Sequence, residues 1–149
     1  DHLWANQIEG YEWAVKGIEE TAGKKVESSL FIHIPVFEVK TVWNEYYDKE
    51  NDVWTGAYAD KAEGVIHENP CPGAVDNHFT HKMLELGSTK NVIFGHDHVC
   101  NASINYEGIQ LTYSLKLGYG AYFEEGLMGG TTLTIGSDGA AQYQHHYYG

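Results

Sequence analysis

A run of four residues, Gly95-His96-Asp97-His98, is the strongest chemical signal in the sequence. It follows the apolar segment 91–94, which is typical of a buried β-strand that ends at the glycine. Two imidazoles with one residue between them at a strand end can point the same way. Neutral imidazole is the commonest metal ligand among side chains. Glycine would let the backbone turn sharply there. The run therefore indicates a metal site, and the alternative is a polar loop in which histidines occur by chance.

Two more residues enter the same hypothesis. Asp97 would either orient one of the imidazoles or face solvent. His33 lies in the sequence Leu-Phe-Ile-His-Ile-Pro at residues 30–35, near the end of a predicted buried strand. A lone histidine there is more often a core residue with one hydrogen bond, but sites in open α/β sheets collect at strand ends. We therefore expect His33, His96 and His98 to converge on one edge of the sheet.

The elements that would position these histidines include both helices and strands. An apolar stripe from Trp4 to Ile18, with spacings of three and four residues, predicts an amphipathic helix that ends at Gly23. The other predicted elements are a strand over 28–36, a short helix over 37–47, an irregular loop over 51–73, a helix from Asp76 to about Leu86, a strand over 91–94, and two hairpins turning at 107–108 and 137–139. This order predicts an α/β domain, or an α+β one, with helices on one face of a mixed sheet.

Composition limits the possible classes of function. The chain has 149 residues, of which 42% are hydrophobic, so it is expected to form one globular domain. Nine lysines and no arginines against 21 acidic residues give a formal charge of −12, which excludes a general nucleic-acid binder. The apolar runs are too short to span a membrane. Cys71 and Cys100 are either free thiols or one disulfide, and they predict no disulfide framework.

Several motifs occur in an order that resembles that of a known family. They are Phe31-Ile32-His33-Ile34-Pro35, then Gly56 and Glu63, then Val92-Ile93-Phe94-Gly95-His96-Asp97-His98, with Gln7 and Trp13 upstream and Tyr106, Gly108, Ile109 and Gly118-Tyr119-Gly120 downstream. In series they resemble the C-terminal half of calcineurin-like metallophosphoesterases of the purple acid phosphatase-like superfamily. The resemblance covers roughly residues 4–123 of the chain.

The resemblance implies a fold, a reaction and a set of ligands. The fold is an α/β/β/α sandwich that holds two metal ions at its strand ends, and residues 1–149 would form its C-terminal part. His33 would share one metal with His96, and His98 would bind the other, the metals being Fe, Zn or Mn. Gly95 and Asp97 would support the loop that carries these ligands. The complete site would hydrolyse phosphate monoesters or diesters through a metal-bound hydroxide.

Part of the family's pattern is missing. Its D-x-H, G-D-x-x-D and G-N-H-[DE] motifs, which carry further ligands and the catalytic histidine, do not occur before His33. Asp76-Asn77-His78 spells D-x-H, but it follows His33 and is interpreted as a helix start. We therefore expect a fragment that has no catalytic residue of its own and hydrolyses phosphate esters poorly. The alternative is a non-catalytic acidic module whose histidines bind metal incidentally or structurally.

The missing half also bears on the partners of this chain. If the chain supplies one sheet of a sandwich, the sheet face opposite the helices should be exposed and apolar. The alternating residues Ile109, Leu111 and Tyr113 are the candidates for that face. Large exposed apolar patches are rare on soluble monomers, so this face would bind the N-terminal half or a second copy of the chain.

Overall fold

Residues 2–148 are described by a computed structural model. Three α-helices lie in this part of the chain: α1 (Ala5–Ala22), α2 (Phe37–Tyr46) and α3 (Phe79–Leu86). The strands of the same residues are β1 (Ser28–Phe31), β2 (Tyr47–Asp48), β3 (Val53–Trp54), β4 (Ala62–Glu63), β5 (Thr89–Phe94), β6 (Ser103–Tyr106), β7 (Ile109–Tyr113), β8 (Gly129–Ile135) and β9 (Ala141–Tyr147). Short 3-10 turns at Gly56–Tyr58 and Glu125–Leu127 lie in the connecting loops.

A five-stranded mixed sheet forms the centre of the fold, in the order β1-β5-β7-β6-β4. β1 and β7 both run parallel to β5, whereas β6 is antiparallel to β7 and β4 is antiparallel to β6. Two small antiparallel pairs, β2-β3 and β8-β9, lie outside this sheet. The α/β class predicted from the sequence is confirmed. Because β1 and β5 are parallel neighbours, the loops that follow them leave the sheet at the same edge.

One face of the sheet carries the apolar core, and the helices pack on it. Val92 of β5 pairs with Leu111 of β7, and both side chains are fully buried. Val39 of α2 and Met83 of α3 belong to the same cluster and are equally buried. Burying a side chain of this size stabilises the fold by about 1.5–3 kcal/mol, so the cluster fixes both helices on the sheet. α1 joins them through Tyr11, which packs against this core.

The apolar residues that were expected on the open face lie on the helix-covered face instead. Ile109, Leu111 and Tyr113 are 3%, 0% and 0% exposed, and they belong to the core cluster. Alternation along β7 correctly predicted that these residues share a face. The pattern does not state which face the helices cover, and the assignment of these three residues to an exposed face was therefore wrong.

The opposite face of the sheet is polar along β6 and β7, carries Phe31 and Ile93 on β1 and β5, and is partly covered by the β8-β9 hairpin. The hydroxyls of Ser103 and Thr112 lie 2.6 Å apart, and the Gln110 amide donates to Ser103 at 2.8 Å. Tyr143 of β9 donates a hydrogen bond to Glu63 of β4 across this face. Ser103 and Thr112 are consequently buried although they are polar, and their hydrogen bonds are made within the chain.

Most boundaries follow the sequence prediction, and three differ. The segment 51–73, which was predicted to be irregular, contains β3, a 3-10 turn and β4, and β4 pairs with β6 in the central sheet. α1, α2 and both hairpins are confirmed, and Gly23 ends α1 in the left-handed conformation. β1 ends at Phe31, five residues before the predicted end. α3 begins at Phe79 because the Asp76 carboxylate accepts the N–H of His78 at 2.8 Å. That bond forms a local turn with His78 at a φ of +57°, which cannot be part of an α-helix.

Within the described residues, the structure shows the state of the two cysteines and whether a helix could cross a membrane. Cys71 is exposed, Cys100 is buried, and both are free thiols, which decides between the two alternatives left by the sequence. No helix within residues 2–148 has the length and apolar character needed to cross a bilayer.

Candidate functional site

His33 and His96 lie side by side at the edge where β1 and β5 end. The backbone N–H of Gly95 donates to the carbonyl of His33 at 3.0 Å, which continues the parallel pairing beyond the two strands. The ring centroids are 5.3 Å apart, and the ring planes are inclined by 78°. His33 is exposed and His96 is half-buried, so both rings are accessible. The structure therefore brings these two histidines together, as their positions at strand ends led us to expect.

The sharp turn that was expected at Gly95 occurs at His96. His96 has a φ of +77°, in the left-handed region, where a residue with a side chain costs about 1–2 kcal/mol. A Cβ added to Gly95 would lie 3.9 Å from Nδ1 of His33, which is an ordinary contact. The unusual backbone is therefore at the histidine itself. Strained positions of this kind cluster at functional sites.

Asp97 neither orients an imidazole nor faces solvent, but it does support the loop that carries the histidines. Its side chain is 5% exposed, so it does not face solvent. Its Oδ2 accepts hydrogen bonds from the Tyr113 hydroxyl at 2.5 Å and from the Cys71 N–H at 3.2 Å. Burial raises the pKa of Asp97, and these two hydrogen bonds oppose that shift. Asp97 anchors the histidine loop to β7, and its hydrogen bonds within residues 2–148 go to no imidazole.

His98 has an environment of its own. Its Nδ1 lies 3.0 Å from the carbonyl oxygen of Tyr122, and its ring packs on the Tyr122 ring with centroids 4.4 Å apart. Within residues 2–148, no group of three or more His, Cys, Asp and Glu side chains is arranged to hold a metal ion. The three predicted ligands thus divide into a pair, His33 with His96, and a single residue. Their role as metal ligands stays a prediction.

Glu68 contacts this site, and the sequence did not point to it. Its Oε1 accepts the backbone N–H groups of His98 and Val99 at 2.5 and 2.8 Å, and its Oε2 accepts the Tyr122 hydroxyl at 2.6 Å. Two residues before Glu68, Ile66 forms a β-bridge with Cys100, which ties this loop to the histidine loop. The only feature of the sequence that pointed towards Glu68 was its place as an acidic residue in a long loop, since such loops are usually functional or flexible.

His67 forms a second link between the same loops. Its Nδ1 lies 2.8 Å from a carboxylate oxygen of Glu124, and its Nε2 lies 3.3 Å from one of Asp52. The hydrogen bond with Glu124 is the main cause of the raised pKa of His67. Protonated His67 therefore holds the segment that carries Glu68 against the segment that carries Tyr122.

A cavity of about 200 Å³ opens beside His33. Its wall is formed by the start of α1, the segment after β1 and residues 73–79, and it includes Leu3, Ile32, Val75 and Phe79. Polar side chains of His2, Gln7 and Asn77 also line it, so its wall is mixed in character. A cavity of this size can hold a group of about one aromatic ring, so a small ligand can lie next to His33.

Comparison with known proteins gives one partial match. No family model matches the chain, and no solved structure matches it significantly. A segment of 63 residues is 36% identical to a protein of Arabidopsis thaliana named "Probable inactive purple acid phosphatase 14". The match covers 42% of this chain and 16% of the relative. It suggests the purple acid phosphatase superfamily. The chain spans a small part of that relative, whose name describes it as inactive, so an activity for the whole protein is a proposal.

Proposed function

We propose that this chain is the C-terminal, metal-binding part of a phosphatase-like metalloenzyme whose complete form hydrolyses phosphate monoesters or diesters. The observation that carries the proposal is the pair of imidazoles, His33 and His96, at the edge where two parallel strands end. Sites in open α/β sheets occur at such edges. The partial similarity to a purple acid phosphatase-like protein supports the same superfamily.

The donors at this edge fit a transition metal. Imidazole nitrogen suits zinc and iron, and manganese is the third candidate when carboxylates complete the site. In this proposal His33 and His96 hold one ion and His98 holds the other. A bound pair of metal ions supplies an acidified water and stabilises the charge that develops on a transferring phosphoryl group.

Three histidines are too few for two catalytic metal ions. Such sites usually have three protein ligands for each ion, so further ligands have to come from outside the described residues. We infer that an N-terminal part of the parent protein, or an associated second chain, supplies them across the sheet face opposite the helices. The coding sequence before Asp1 is then expected to contain D-x-H, G-D-x-x-D and G-N-H-[DE] in that order. The phosphate ester would bind between the two parts.

Metal binding by the chain itself tests the proposal. Zn²⁺ titrated calorimetrically into the wild-type chain should bind, and His33→Ala and His96→Ala should each weaken binding at least about tenfold, because each removes a ligand. His81→Ala, at an exposed position of α3, is the control and should bind like the wild type. Equal affinity in all four proteins would contradict the proposal and favour the non-catalytic acidic module.

A further inference from the structure

The hydrogen bond of His98 determines where its proton lies. Nδ1 is 3.0 Å from the backbone carbonyl oxygen of Tyr122, and a carbonyl oxygen only accepts hydrogen bonds. Nδ1 must therefore carry the proton, and in the neutral ring Nε2 keeps its lone pair. A metal ligand needs such a lone pair, and the hydrogen bond at the other nitrogen selects the tautomer.

Tyr122 can keep its carbonyl oxygen at His98 only if its own position is fixed by other contacts. It lies in an exposed stretch, residues 117–126, and its side chain is 55% exposed. Its hydroxyl donates to Oε2 of Glu68 at 2.6 Å, and its ring covers the His98 ring at 4.4 Å with an inclination of 30°. Because a carboxylate only accepts hydrogen bonds, the Tyr122 hydroxyl is the donor in this contact, and the bond fixes its side chain.

Glu68 contacts both the backbone of His98 and Tyr122, the residue that accepts the hydrogen bond of its ring. While Oε2 fixes Tyr122, Oε1 accepts the backbone N–H groups of His98 and Val99. One carboxylate therefore fixes the backbone of the histidine and the residue that hydrogen-bonds its ring. The hydrogen bonds span 30 residues on one side and 54 on the other, so the arrangement is tertiary rather than local.

We propose that Glu68 is a positioning residue that, together with Tyr122, orients the His98 imidazole with Nδ1 protonated and Nε2 free to bind a metal ion. The link to a metal rests on the function proposed above, whereas the orientation is a property of the metal-free chain. Glu68 touches neither metal nor substrate in this proposal. Its effect is on the proton and the direction of one imidazole ring.

The tautomer of His98 is measured directly by long-range ¹H–¹⁵N spectra of the imidazole nitrogens in the metal-free, ¹⁵N-labelled chain. The same spectra distinguish both neutral tautomers from the doubly protonated ring, so they are recorded at a pH at which they show His98 to be neutral. We expect the Nδ1–H form in the wild type. In Glu68→Ala this form should be lost in favour of the Nε2–H form that prevails in free histidine. Glu50→Ala, in the exposed turn between β2 and β3, is the control and should leave His98 unchanged.

Two further variants keep the test decisive. Glu68→Gln retains an oxygen for the two backbone N–H groups, and its amide N–H can donate to the Tyr122 hydroxyl in place of the original bond. It should therefore preserve the Nδ1–H form, which a role of the negative charge alone would not predict. Tyr122→Phe removes only a hydroxyl from an exposed side chain, so it should fold even if Glu68→Ala does not, and it should raise the Nε2–H fraction.

The outcomes separate this inference from the proposed function. An Nε2–H tautomer in the wild type, or an unchanged Nδ1–H form in folded Glu68→Ala, would overturn the inference whatever the metal titration gives. If Glu68→Ala is unfolded, an unchanged tautomer in Tyr122→Phe overturns it. If the wild type has the Nδ1–H form, Glu68→Ala and Tyr122→Phe shift it, and the chain binds no Zn²⁺ at His33 and His96, the positioning role is supported and the proposed function is refuted.

Discussion

His96 combines a side chain suited to metal binding with a backbone conformation that disfavours side chains. Its φ of +77° is compatible with glycine at no steric cost, yet the sequence has glycine one position earlier. The left-handed turn brings its ring to 5.3 Å from that of His33. The conformational cost at His96 is therefore coupled to the geometry of the candidate site.

Two substitutions at His96 measure that cost. Both His96→Ala and His96→Gly remove the ring, but only glycine relieves the backbone, so His96→Gly should be more stable than His96→Ala by about 1 kcal/mol. Urea unfolding of the two variants gives the difference. At His81, in the right-handed α3, the order should be reversed, with glycine about 1 kcal/mol less stable than alanine. The same order at both positions would mean that the φ of His96 is not strained.

The residues of the site differ in how far the sequence predicts them. His33 and His96 were predictable because each follows an apolar strand, and the ends of parallel neighbouring strands meet at one edge. Glu68 and Tyr122 were not, because they reach His98 from irregular loops, in which no period links a side chain to its partner. Support of the loop by Asp97 was expected, but its burial was not, because its hydrogen bond goes to Tyr113, a residue of another strand.

At the scale of elements, the β8-β9 hairpin is attached to the sheet by a neutral histidine. Nε2 of His145 lies 3.0 Å from the Asn101 carbonyl and so carries the proton, which leaves Nδ1 to accept the Thr131 hydroxyl at 2.8 Å. Burial lowers the pKa of His145, and the nearby Glu63 carboxylate only partly opposes this. Protonation would reverse the hydrogen bond with Thr131, whose hydroxyl would then accept, and it would charge a partly buried ring.

This arrangement predicts the pH dependence of stability. Because the folded pKa of His145 lies below the unfolded value of about 6.5, its stabilisation is complete above that pH and is lost as the pH falls through the folded pKa. His145→Gln should flatten this loss and lower the unfolding free energy at about pH 8 by about 1 kcal/mol. Urea unfolding at several values between about pH 5 and 8 measures both effects.

The stabilisation by His67 depends on pH in the opposite direction to that by His145, so His67 serves as a control. Its pKa is raised by Glu124, so its stabilisation is present below the unfolded pKa and is lost as the pH rises through the folded one. Removing it in His67→Gln should make the loss of stability at low pH steeper than in the wild type. If His145→Gln keeps the full wild-type dependence, the hairpin is not held by a neutral His145.

The elements themselves were predictable where the signal is local. The spacing of apolar residues gave α1, and two-residue alternation around a glycine-containing turn gave the hairpin β6-β7. The start of α3 was misplaced because Asp76 bonds within its own turn instead of capping the helix. The covered face of the sheet was misassigned because alternation groups residues without saying what packs on them.

Residues 2–148 provide a five-stranded sheet with helices on one face and an edge that carries the candidate ligands. The histidine pair lies at that edge, while the opposite sheet face is polar along β6 and β7 and carries the β8-β9 hairpin. Association through this face stays a proposal, and light scattering at low micromolar concentration measures it. With the core residues of β7 already buried, an interface there would combine polar groups such as Gln110 with the exposed ring of Phe31.

In the proposed function, the metal ligands are divided between this chain and a further part of the parent protein or a second chain. This division predicts how the chain behaves as a catalyst. Residues 2–148 contain no group of three metal-binding side chains, so with added Mn²⁺ or Zn²⁺ the chain should hydrolyse a generic aryl phosphate no faster than the free metal ion does. His96→Ala should leave this background unchanged. In the parent protein, with the segment before Asp1 present, hydrolysis should be measurable and should fall at least about tenfold in His96→Ala but not in His81→Ala. Robust turnover by the chain alone that disappears in His96→Ala would show that these residues need no further ligands, and the proposal of a divided metal centre would then be wrong.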